Sequence, residues 1–419
     1  MRNYEGGHRR IVYDLLGSNY LPNSGTARNM RIENGAKLGV GDVIEYDYTG
    51  YVQNGGLFGM MEYDKNGLSA FLNLSAAMSA YAYEDFFNEK IVTTPDTSFK
   101  IAYGETVTIG DNNYTIDSPE AENYRIDWLY RPSFTVKTGA AYNINDNHSV
   151  FFNTGYLSRP TRYVNVIRAN QTNAADAIVV EDAKNEIVTS FELGYNLKTK
   201  NFAANANAYY TNWLNRPLDN LPSYPEDPSD PESNRIPINV QGLAARHAGI
   251  EFDFAYNITK DLTVEGLVSV GDWIWNSGDT VILPNGEPYA FDATGVHVGD
   301  AAQIQLGGLV RYEPIKGLYF KLKATHFAKN YANFNPESLQ GANGGTDSWR
   351  MPNYTLFDFH SGYDFKIKDI RTTVRFNVLN VFNAVYVSDA RNNDTFILPP
   401  FGTFDARSAA VFLGQGIQW

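Results

Sequence analysis

The chain has 419 residues, a net charge of −13, an isoelectric point near 5.0 and no cysteine. This acidity argues against a nucleic-acid binder, which needs a basic face, and the lack of thiols excludes disulfides and thiolate metal sites. No run of about 18 apolar residues occurs, so a transmembrane helix is excluded.

The opening MRNYEGGHRRIVYDLL has neither the apolar core nor the cleavage site of a signal peptide. Either the protein stays inside the cell or Met1 is not the true start. Residues 1–54 are polar, rich in Gly and Asn, and read as irregular apart from an alternating patch at 43–48. Regular structure is expected from Gly55. Gly59, Met61 and Tyr63 share a face, and Lys65-Asn66-Gly67 supplies the Asn-Gly signal of a hairpin turn. In the answering strand, 68–81, Leu68, Ala70, Leu72, Leu74, Ala76 and Met78 alternate with polar residues. An Ala-rich helix is the rival reading there, but the alternation favours a strand.

Further hairpins are predicted at 133–157, 187–214, 248–275, 301–328 and 354–382, with a terminal strand at 406–419. The pair within 186–213 shows the pattern best. Phe191, Leu193, Tyr195 and Leu197 oppose Glu192, Gly194, Asn196 and Lys198; after Lys198-Thr199-Lys200, Phe202, Ala204, Ala206, Ala208 and Tyr210 oppose Asn205, Asn207, Tyr209 and Thr211. The other turns fall at Asn145-Asp146-Asn147, Thr259-Lys260-Asp261, Pro314-Ile315-Lys316 and Ile367-Lys368-Asp369. Six hairpins and the last strand make thirteen strands.

One end of this array has short turns and the other has long polar loops, at 82–131, 159–185, 215–245, 277–300, 330–352 and 387–405. Tyr63, Tyr142, Tyr195, Tyr256, Tyr312 and Tyr363 each lie three to five residues before a turn centre, on the apolar face. Short periplasmic turns, long extracellular loops, an apolar outer band and aromatic girdles mark a transmembrane β-barrel. The six Tyr are expected to form the periplasmic girdle. Tyr81, Tyr156, Tyr210, Trp213, Trp273, Trp275 and Phe382 lie near the loop ends. Glu192, Asn205, Glu251, Asp253, Lys321, Lys323, Asp358, His360 and Arg375 stand on the opposite face. They are too charged for lipid and are expected to face the lumen or protein within it. The fold class is all-β, an antiparallel transmembrane barrel. On this reading residues 1–54 are mostly extracellular loop, and 55–419 are the C-terminal part of the barrel. A barrel with an odd strand count that begins outside reads as truncated.

SFELGY…FAANANAYYTNW, VGDAAQIQLGGLVRYEP at 298–314 and FNVLNVFNAVYVSDARNN at 376–393 resemble TonB-dependent receptors of the outer membrane, most of all the Bacteroidetes type. Asn377–Asn383, with Tyr386 after it, resembles the family's penultimate strand, and Trp419 resembles the terminal aromatic read by the barrel-assembly machinery. The resemblance implies a barrel of about 22 strands around a plug that binds TonB. Thirteen strands leave roughly nine missing from it, and neither plug nor TonB box is visible. Ser158-Arg159-Pro160-Thr161 also departs from the family's Arg-Ala-Pro motif. The chain therefore reads as the C-terminal barrel portion of a receptor importing a scarce nutrient, whether siderophore, cobalamin, metal complex or glycan. Its implied partners are outer-membrane lipid, the assembly machinery, the nutrient, and TonB only through a plug. It is expected to be a monomer.

For the ligand, Arg159, Arg162 and Arg168, with Tyr163, could meet an anion or the plug, or be loop charges. Tyr331 in NYANFNP, Trp349 and Trp213 could stack on a ligand or pack loops. The acidic run 226–232 reads as a solvated loop. His148 and His247 read as solvated and His360 as a lumen residue. No paired-His spacing or nucleophile–base set occurs, so neither metal, cofactor nor catalysis is expected. The alternatives are a passive porin or adhesin on a smaller barrel, and a soluble all-β binding protein or enzyme.

Overall fold

The computed structural model describes residues 2–23, 29, 35–87, 89–102, 104–168, 177–180, 183–216, 223–225, 235–237, 242–282, 288–334, 336–392, 396–398, 402–404 and 409–414. Among these residues thirteen strands form one antiparallel sheet, each beside the next member of the sheet in chain order. They are β1 (Arg2–Ile11), β2 (Val43–Lys65), β3 (Leu68–Asp85), β4 (Arg125–Asn145), β5 (His148–Arg159), β6 (Glu186–Lys198) and β7 (Phe202–Arg216). The series continues with β8 (Leu243–Asn257), β9 (Leu262–Trp275), β10 (Ile304–Ile315), β11 (Leu318–Ala328), β12 (Tyr354–Ile367) and β13 (Ile370–Val378). No helix among the described residues is long and apolar enough to cross a membrane.

The strand number agrees with the sequence reading, but the membership differs at both ends. Residues 2–11, read as irregular, pair with β2 from Arg2↔Asn54 to Ile11↔Val43. The patch at 43–48 is the beginning of β2 and not an isolated fragment. Among the described residues, no part of the expected terminal strand joins the large sheet. Its described part, Ala409–Gly414, pairs instead with Tyr386–Asn392. Trp419 and the acidic run 226–232 lie outside the described residues.

Side-chain size explains the middle of the sheet. Across β6 and β7 the large residues Leu193, Tyr195 and Leu197 oppose Ala208, Ala206 and Ala204. On the other flank of β7 the same alanines oppose Ile250, Phe252 and Phe254. A strand of small residues between two strands of large ones lets the rings spread without collision. At the Asn66-Gly67 turn both residues have positive φ, 54° and 77°, as a two-residue hairpin turn requires. The turn expected at Pro314–Lys316 sits slightly later, at Lys316-Gly317, where Gly317 takes φ 89°.

The chain divides into two compact units. The first comprises Met1–Phe58, Ser75–Phe134 and Arg159–Asn185. Its core is aromatic: Tyr48, Tyr81 and Tyr83 pack with Ile126, Val166 and Ile167. The expected loop 82–131 here contains a three-stranded sheet of Glu89–Thr93, Ser98–Ala102 and Ala121–Asn123. The second unit comprises Gly59–Leu74, Thr135–Ser158 and Glu186–Trp419. Its main core lies at the loop ends of the strands, where Leu243, Ala245, Trp275, Phe291, Val296, Phe334 and Leu339 are buried together.

Along the strands themselves large apolar residues of one face are exposed: Leu57 83%, Leu193 62% and Ile250 63%. A water-soluble sheet buries such a face; this one presents it outward.

Candidate functional site

In the second unit, cross-strand register carries one polar face from β6 to β13. Asn207 opposes Gly194 and Glu251, and Asn205 opposes Asn196 and Asp253. Glu251 then opposes Ser269, and Ser269 opposes Gln305. Farther along, Lys321 meets His360, Lys323 meets Asp358, and His360 meets Asn377. The nine residues assigned from sequence to this side therefore share one face. The reverse face holds Tyr195, Tyr256, Tyr312 and Tyr363, and all six predicted girdle tyrosines are exposed.

The polar groups bond mainly to one another. Glu192 accepts from the amides of Asn207 at 2.7 Å and Asn153 at 3.1 Å. Asn205 donates to Asp253 at 2.8 Å. On the later strands Lys323 lies 3.6 Å from Asp358, and Arg375 bonds to Asp364 at 3.1 Å. His360 bonds to Asn377 at 2.8 Å. Asp358 also accepts the backbone N–H of Asn380, where the chain leaves β13 in a turn. The run resembling a penultimate strand thus ends as a strand at Val378.

Several rings on this face lie over glycines. A Cβ on Gly194 would come within 2.1 Å of the Phe151 ring, one on Gly249 within 2.4 Å of the Tyr209 hydroxyl, and one on Gly362 within 2.7 Å of the Tyr319 ring. These strand glycines are required by close approach, with the bare backbone serving as the seat of a neighbouring ring.

Toward the loops the face deepens into a recess of about 440 Å³. Glu192, Asn207, Tyr209, His247, Glu251 and Trp273 line it, and Val298 and Ala301 flank it. The Trp273 indole N–H donates to the Tyr209 hydroxyl at 2.9 Å. His247 sits between Trp213 and Trp273, with ring centroids 6.2 and 5.7 Å away. Its Nδ1 is buried without a hydrogen-bond partner, as is Oδ1 of Asn207. Sequence reading expected a solvated His247. The available signal was parity, since His247 shares its face with Glu251 and Asp253. His148, also expected to be solvated, bonds to the Tyr195 hydroxyl.

The seven residues proposed from sequence as ligand contacts fall into separate settings. In the first unit, Arg159 ends β5, and Arg162 donates to Asn165 at 3.3 Å. The Tyr163 ring packs edge-on to Tyr81 at 6.0 Å, and burial pushes its hydroxyl pKa upward. Arg168 pairs through its backbone with Ile178. In the second unit, Trp213 packs on the loop core, with the Arg216 guanidinium 5.4 Å from its ring. Tyr331 is 6% exposed and stacks on His297 at 4.2 Å, while His297 bonds to Asp347 at 2.7 Å. Burial, with Asp347 nearby, raises the Tyr331 pKa. Trp349 packs against Ala332, Met351, Val387 and Ala390. Tyr331 and Trp349 thus spend most of their ring surface on loop packing. Among the described residues no group of His, Asp and Glu is placed to hold a metal ion.

A family model described as TonB dependent receptor-like, beta-barrel, matches residues 12–381. The chain belongs to the TonB-dependent receptor β-barrel family. Its antiparallel sheet is the wall of such a transmembrane barrel. Solved structures agree in fold. The ferric yersiniabactin uptake receptor FyuA of Yersinia pestis has a TM-score of 0.52 at 13% identity, over 90% of this chain and 46% of that one. The ferric-catecholate import receptor Fiu of E. coli K12 has 0.50 at 13% identity, over 91% and 47%. The copper transporter OprC has 0.50 at 12% identity, over 92% and 48%. This TonB-dependent receptor barrel therefore spans about half the length of the solved receptors it resembles. At these identities the likeness is one of fold alone. No curated protein sequence matches the chain.

Proposed function

We propose that the chain forms barrel wall in a TonB-dependent importer of the outer membrane, with its apolar face in lipid and its polar face toward the lumen. The observation carrying this reading is the segregation of the two faces over the same strands. Leu193 and Ile250 stand exposed on one side, and Glu192 and Glu251, their chain neighbours, stand on the other. A charge at mid-depth on a lipid face costs about 2–4 kcal/mol, so only the apolar side suits lipid.

The family membership supports a complete barrel of about 22 strands with a plug within it. The long loops then capture a scarce nutrient, and TonB acts through the plug. Tyr63, Tyr142, Tyr195, Tyr256, Tyr312 and Tyr363 serve as the periplasmic aromatic girdle. The lumen residues from Glu192 to Arg375 face water or the plug. The assembly machinery reads Trp419, and the assembled receptor is a monomer.

The absence of native cysteine permits a direct test. In native membranes, Asn205→Cys should react with a water-soluble maleimide and Leu193→Cys should be protected. Equal labelling of the two positions would overturn the two-faced assignment. Growth on the imported nutrient should require both the protein and TonB; uptake that persists in a TonB deletion would replace the importer with a passive pore.

A further inference from the structure

The recess near the loop ends of β6–β9 has a composition that selects its occupant. Three of its donors are committed within the protein: Asn207 to Glu192, Ser269 to Glu251 at 3.5 Å, and Trp273 to Tyr209; the Tyr209 O–H and one imidazole N–H of His247 are not among them. Acceptor capacity exceeds these donors. Glu192 and Glu251 retain unused carboxylate lone pairs, Asn207 Oδ1 is buried and unpartnered, and no Lys or Arg lines the cavity. The aromatic groups Tyr209, Trp273 and His247 form its other walls.

We propose that this recess binds a guanidinium or ammonium group, held by Glu192 and Glu251 and covered by Trp273 and Tyr209. An aromatic face attracts a cation through its quadrupole, most strongly with Trp and where water is displaced. A carboxylate accepts charge-assisted hydrogen bonds from such a group. An anion would meet the repulsion of two carboxylates with no Lys or Arg beside them, and a neutral apolar group would leave Asn207 Oδ1 unsatisfied. The rest of this part of the face adds to the bias. Between Asn196 and Trp273 the register gives it Glu192, Glu251, Asp253 and Glu265 but no Lys or Arg. The proposal rests on the polar face lining the lumen. The cation has two sources: a small molecule passing through, or a Lys or Arg side chain from another segment of the polypeptide.

The test uses the intact protein in detergent, with benzamidinium as probe and neutral benzamide as its near-isostere. Tryptophan fluorescence should respond to benzamidinium and not to benzamide. The Glu192→Gln/Glu251→Gln variant should weaken binding at least about tenfold, the loss of one or more charge-assisted hydrogen bonds. Asp253→Asn, which removes a carboxylate of the same face outside the recess and leaves only a screened longer-range attraction to lose, should weaken binding by no more than about twofold. If a protein side chain already fills the recess, benzamidinium will not bind the wild type. The double variant will then lower the unfolding midpoint while Asp253→Asn does not, an outcome that supports the cation and assigns its source to the polypeptide. Equal binding of benzamide, or full-strength binding by the double variant, would overturn the proposal. So would the absence of both binding and any midpoint change. Maleimide labelling of Asn205→Cys in the same preparation separates the two levels. If that site is water-accessible and the recess inert, the recess proposal fails and the lumen assignment stands.

Discussion

The polar face of the second unit has two parts that handle charge differently. Strands β10–β13 carry mixed charges arranged in pairs: Lys323 with Asp358, Arg375 with Asp364, and Arg311 with Glu313 at 3.0 Å. Strands β6–β9 carry carboxylates whose hydrogen-bond partners are neutral amides and a hydroxyl. Ion pairs made within the wall are complete without a visitor. Like charges on adjacent strands repel, and amides relieve that repulsion less than a cation does. The acidic part is therefore where the wall gains most from something positively charged, and the mixed part is where it gains least.

The largest expected effect tests the premise that both parts face away from lipid. Ile250→Arg should destabilise the folded barrel by about 2–4 kcal/mol, seen as a lower urea midpoint and loss of heat-modifiable gel mobility. Glu251→Arg, one residue along on the other face, should cost far less. Equal losses would collapse the distinction between faces.

A smaller effect contrasts glycines on strands β8 and β10. Gly249→Val must displace Tyr209 and meets the Val270 carbonyl oxygen, 2.8 Å from the new Cβ. Overpacking of this kind costs about 1–3 kcal/mol, and it should alter the tryptophan emission of the recess. Gly308→Ala, where an added Cβ meets nothing within 4 Å, should stay within about 0.5 kcal/mol of the parent. A damaging Gly308→Ala would show that strand glycines matter here for a reason other than ring seating.

The smallest effect concerns the pairs themselves. Lys323→Met should cost about 0.2–1 kcal/mol, because the Lys323 side chain is 47% exposed to water and 3.6 Å from Asp358. A much larger loss would mean that the mixed part is also under electrostatic tension.

Alternation made the hairpins legible, because a strand with lipid on one side and water on the other is the cleanest source of period-two sequence. It failed where that contrast is absent. In β1, RNYEGGHRRI is polar on both sides, and only backbone pairing with β2 marks it as a strand. In β2, Gly50, Gly55 and Gly56 interrupt the pattern and conceal how far the strand extends. The strand at Ala409–Gly414 alternates too weakly to reveal its partner.

The site was half legible. Parity assigned Glu192, Asn205, Glu251 and Asp253 to one face, but the recess depends on inter-strand register. His247 and Trp273 are far apart in sequence and directly opposed in the sheet. The loop aromatics carried no usable signal, since Tyr331 and Trp349 read the same whether they stack on a ligand or on the protein.

The rings seated on glycines have a consequence for passage. Phe151, Tyr209 and Tyr319 lie along the wall because Gly194, Gly249 and Gly362 leave room beneath them. A large side chain laid flat takes up little of the open cross-section, whereas the same ring standing upright would project into it. If the polar face lines the lumen as proposed, a single methyl group added beneath such a ring would lift it into the open cross-section and act as a constriction some distance from where it was placed.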